Sequence, residues 1–82
     1  MRTMPKLPIN IIAEWDPEAS VWVATSEDIG GLAIEAPTLE RLVERLPGVI
    51  EDLVEFNHPE LFRAGDIPFK VHASMMGLAR SA

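Results

Sequence analysis

Cysteine is absent from this 82-residue chain, which excludes a disulfide framework and any thiolate metal site. Basic residues are scarce. Seven Lys and Arg stand against thirteen Asp and Glu, for a formal charge of −6. Neutralising phosphate needs clustered cations, so direct nucleic-acid binding is not expected. Long apolar runs are missing too. The longest is Val21-Trp22-Val23-Ala24, too short for the core of a secretory signal or for a membrane span. The missing cysteine and the missing signal together lead to the expectation of a cytoplasmic protein with no membrane contact.

What is present reads as one globular domain. The length has a consequence of its own. A chain this short buries only about 60–65% of the surface its unfolded form exposes, so its own core stabilises it marginally. With no disulfide and no structural metal to help, association with another chain is expected. A homodimer or a protein partner would serve.

Residues 7 to 15 alternate. Leu7, Ile9, Ile11, Ala13 and Trp15 share one face, while Asn10 and Glu14 lie on the other, the pattern of a half-buried strand. Asp16-Pro17-Glu18-Ala19-Ser20 is a turn, and Val21 to Thr25 resumes the strand, so the two form a hairpin. Gly30-Gly31 permits a sharp reversal. Leu32 to Ala36 is a third strand. Thr38 is a helix N-cap, and Glu40 suits the first turn. Apolar residues at 39, 42, 43, 46, 50, 53 and 54 form the buried stripe of that helix. Pro47 should kink it or split it into arms over about 39–46 and 47–57, and Asn57-His58-Pro59 should end it. After a loop with a short turn, residues 67 to 74 alternate again as a fourth strand.

The expected fold is therefore α+β. One domain covers 1–82, with its core over about 7–74 and a patternless tail over 75–82. Its single antiparallel sheet of four strands runs β-β-β-α-β, and one kinked or split helix packs on one face. The other sheet face then carries Ile12, Trp22, Ala24 and Ala33 with nothing in the chain to cover them, an apolar patch that predicts association.

The segment from Ile9 to Asn57 resembles the HicB-like antitoxin family. The likeness rests on the two strands around an acidic turn, on Ser26-Glu27-Asp28-Ile29-Gly30-Gly31-Leu32, and on the third strand with its Thr-initiated helix, Ala36-Pro37-Thr38-Leu39-Glu40. It is similar in particular to a small bacterial subfamily with a Leu-Pro break in the helix, a strand after it and no DNA-binding module. The resemblance implies a domain that often dimerises and that covers the active site of HicA, a small basic RNA-cleaving toxin. Many members also carry a C-terminal DNA-binding module. The residues after Asn57 are taken by a loop, a strand and a tail, so none is expected here.

On this reading Trp22, Glu27 and Asp28 are the candidate partner-binding residues, with Ile12 and Ala24 as their apolar floor. The acidic residues Glu14, Asp16, Glu18, Glu27 and Asp28 either complement a basic partner or simply solvate the surface. Trp15 is expected at the core edge. A stand-alone homodimeric domain, with the open face as its self-interface, is the alternative.

Other classes find no support. His58 and His72 have no ligand spacing around them, so no metal and no cofactor is expected. No nucleophile elbow, phosphate loop or catalytic dyad is visible, so no enzyme activity is expected. A ribbon-helix-helix DNA reader fails on charge. From Leu32 to Asn57 there are two basic residues and six acidic ones, a net of −4.

Overall fold

The computed structural model describes residues 7–80. Residues 1–6, where a targeting segment would begin, and residues 81–82 of the tail lie outside the described residues. The elements are β1 (Ile9–Asp16), β2 (Val21–Thr25), β3 (Ala33–Ala36), α1 (Leu39–Asn57), α2 (Pro59–Arg63) and β4 (Phe69–Ser74).

The fold is α+β, with one four-stranded sheet in the order β3-β2-β1-β4 and one main helix against it. The β1–β2 hairpin closes because the Asp16 carboxylate accepts from the backbone N–H of Glu18 at 3.0 Å and of Ala19 at 3.2 Å. Such an Asx turn supplies local bonds where the ladder stops. Four loop residues then set Asp16 opposite Val21 and Trp15 opposite Trp22.

The sheet is mixed rather than wholly antiparallel. β4 joins β1 in parallel. Chain direction explains this. β3 pairs antiparallel with β2, and β2 with β1, so β3 runs the same way as β1. One helix crossing reverses the chain, and the strand after it returns in the direction of β1.

Thr38 caps α1 as expected, its Oγ1 accepting from Arg41 N–H at 3.1 Å. Thr38→Ala should cost about 1 kcal/mol, read from the urea midpoint. Leu42, Leu46, Ile50 and Val54, each four residues apart, are buried against the sheet. The expected split at Pro47 does not occur, for α1 runs unbroken from Leu39 to Asn57. Pro47 and Val43, whose carbonyl loses its donor, both lie on the exposed side, so water can satisfy that carbonyl. A second short helix, α2, occupies the stretch read as a loop with a short turn. Its Leu61 joins the core.

Ile9, Ile11 and Ala13 of β1 are buried, as their alternation requires. The loop after β2 folds over one end of the core with Ile29 and Leu32. Gly31 takes φ +86° there, a conformation that favours glycine.

One expectation about facing needs correction. Ala24 has 0% of its surface exposed and packs in the core opposite Ala13. Trp22 is half-buried against the same core, and its ring lies 5.8 Å from that of Trp15. Neither belongs to the open face. Cross-strand partners share a face, and the hairpin register pairs both with the core-facing residues of β1.

Candidate partner-binding face

The register fixes what the open face carries. One row across the sheet is His72, Ile12, Thr25 and Ala33, and the next is Ser74, Glu14, Val23 and Glu35. Asn10 stands beside Lys70, and Asp16 opposite Val21. The apolar members are therefore Ile12, Val21, Val23 and Ala33. Ile12 remains 39% exposed, and Val21 and Val23 are half-buried. Val23 sits between Glu14 and Glu35, so two carboxylates flank the apolar centre. The helix lies on the other side of the sheet, and among the described residues no second layer covers this one.

A polar network closes one end of the face. β2 stops at Thr25, opposite Ile12, so the backbone of Asn10 loses its neighbour in the ladder. Side chains replace it. Asn10 N–H donates to Asp28 Oδ2 at 2.7 Å, and Ser26 Oγ donates to the Asn10 carbonyl at 2.7 Å. Ser26 Oγ accepts in turn from Asp28 N–H at 3.1 Å. Asn10 Nδ2 donates to the same Asp28 oxygen at 3.3 Å, which leaves Oδ1 to accept from His72 Nε2 at 3.0 Å. The loop is thus pinned to β1, and β1 to β4.

Asp28 therefore has a structural task. Asp28→Ala should cost about 1 kcal/mol in chemical denaturation, because Asn10 loses an acceptor for its N–H. Glu27→Ala should stay within about 0.5 kcal/mol of the parent, since Glu27 is exposed at the surface.

Ile12, Glu27 and Asp28, together with Asn10, line a shallow depression of about 280 Å³ at this end of the face. Three of the residues singled out from the sequence thus come together. Trp22 and Ala24 do not join them, because they point into the core side. Val23, Glu14 and Glu35 were missed as a group. The signal that could have found them is the loop length, which pairs Asp16 with Val21 and so carries Val23 to the face of Glu14. The tie between Asn10 and His72, 62 residues apart, has no local signal.

Among the described residues no group of three or more His, Asp or Glu is placed to hold a metal ion. No helix there is long and apolar enough to cross a membrane. A family model described as a domain of unknown function, DUF1902, matches residues 8–80. The chain belongs to the DUF1902 family. The match takes in every strand and helix of the domain. This DUF1902 domain is also similar to the crystal structure of a hypothetical protein from the extremely thermophilic bacterium Thermus thermophilus. The two share 36% identity with a TM-score of 0.64, over 89% of this chain and 97% of that one. No curated protein is significantly similar to it.

Proposed function

We propose that this DUF1902 domain is a non-catalytic, cytoplasmic binding module of the HicB antitoxin type, which occludes a small basic RNA-cleaving toxin with its open sheet face. The observation that carries the reading is the uncovered face itself. Its apolar centre, Ile12 and Val23, is flanked by Glu14 and Glu35, with Glu27 at one end. A toxin that cleaves RNA must present cations to phosphate, and this arrangement answers that surface with carboxylates around an apolar contact. Apolar burial supplies affinity, while the carboxylates speed encounter and set orientation. No bond is made or broken, and inhibition is by cover alone. The same negative surface repels phosphate, which fits a module that binds the toxin rather than nucleic acid.

The test is an RNA-cleavage assay of a HicA-like toxin from the same cells, titrated with the purified domain. Cleavage should stop once the domain saturates the toxin. The double variant Glu14→Lys, Glu35→Lys should slow association by about tenfold or more at low salt and lose inhibition accordingly. Full inhibition by that variant would remove the face from the interface.

A further inference from the structure

The two edges of the sheet are not alike. β3 is four residues long, and the Arg45 guanidinium donates to its Glu35 carbonyl at 2.6 Å, which blocks that edge. β4 is six residues long and, among the described residues, pairs only with β1, so its outer row of backbone groups has no neighbour strand there. Directly after it comes an arm, residues 75–80, without regular structure. Met75, Met76 and Leu78 in that arm are 61%, 89% and 98% exposed. Three large apolar residues close together on a bare arm lack a surface to rest on.

A surface of matching chemistry exists at the far end of β4. A cleft of about 360 Å³ lies between α1, α2 and the start of β4, and Ile50, Phe62, Ile67 and Phe69 make its apolar walls. Glu51 and Asp66 stand at it, and no basic residue lines it. The arm does not occupy its own cleft, since its apolar side chains stand exposed. It leaves from Ser74, whereas the cleft is at Phe69, and a six-residue strand of about 3.3 Å per residue separates the two.

We infer that the outer edge of β4 pairs antiparallel with β4 of a second copy, and that each copy's arm fills the other's cleft. A two-fold axis through the sheet reverses the partner strand and so brings its arm to the cleft end of β4. Parity agrees. Met75 has the core-side parity of Phe69, Val71 and Ala73. A register centred on Val71 or on His72 sets Met75 of the second copy beside Ile67 or Phe69, two walls of the cleft. Arg80 of the arm is the cation for Glu51 and Asp66. The homodimer expected from chain size thus uses the sheet edge, and the open face stays free on both copies. This inference is independent of the toxin reading.

Sedimentation equilibrium on the full chain tests it. The parent should sediment at twice the 9.1 kDa chain mass. Met75→Asp and Arg80→Glu, both on the exposed arm, should leave the denaturation midpoint of the monomer unchanged. Each should raise the dimer dissociation constant by about tenfold or more. Pairing Arg80→Glu with Asp66→Lys should restore the dimer. A parent that stays monomeric overturns the inference. So does a dimer indifferent to both arm variants, and so does an Arg80→Glu defect that the charge swap fails to rescue.

Discussion

Leu46→Ala is expected to remove about 2–5 kcal/mol of stability, measured as a shift in the urea midpoint at constant slope. Leu46 is fully buried at the middle of the α1 stripe, between Leu42 and Ile50. The sheet on the other side is held by four strands and cannot collapse into the space. A domain of this length has a total stability of roughly 4–12 kcal/mol, so the variant should lose a large share of it. Phe56→Ala on the same helix is the control. Phe56 is exposed, and its loss should change the midpoint by no more than about 0.5 kcal/mol.

The second large effect separates neighbours on β2. Ala24→Arg should cost more than about 4 kcal/mol and prevent stable folding, because it drives a charge into a packed position opposite Ala13. Val23→Arg, one residue away, should fold and cost about 1 kcal/mol or less, the span of strand-residue preferences in a sheet. Its guanidinium would lie between Glu14 and Glu35. Circular dichroism and urea denaturation of the pair would show which face of β2 meets the core. A stable Ala24→Arg beside an unfolded Val23→Arg would reverse the register.

Those two residues also show where local reading stops. The β1 alternation, the Thr38 cap and the four-residue spacing of Leu42, Leu46, Ile50 and Val54 are legible because each is a local pattern with one physical meaning. Val21-Trp22-Val23-Ala24 has no polar residue to mark its outer side. Only the loop length and the pairing of Asp16 with Val21 decide its facing. The parallel course of β4 follows from counting chain reversals, not from the residues of β4. Pro47 is a break signal in any local reading, yet the exposed side of α1 tolerates it. The candidate site is legible in part for the same reason. Ile12 lies on a strand whose alternation is plain, and Glu27 and Asp28 follow the end of β2. The bonds from Asp28 to Asn10 and from His72 to Asn10 are tertiary, so sequence neighbours carry no trace of their structural role. The strand pattern read without its register sets Trp22 and Ala24 on the open face, where a Trp suits a binding hot spot. In the fold Trp22 pairs with Trp15 on the core side.

The two surfaces divide the labour of the domain. On the reading proposed above, the edge strand and arm would join copies of the chain, and the acidic apolar face would be left for a different protein. The measurement that tests this most directly is affinity capture from the source cells at moderate salt, run in parallel with the parent chain, Val23→Arg and Met75→Asp. The account predicts a stoichiometric small basic RNA-cleaving protein with the parent and with Met75→Asp, and its loss with Val23→Arg. Recovery of the parent alone at every salt concentration, or capture of the same protein undiminished by Val23→Arg, would contradict it.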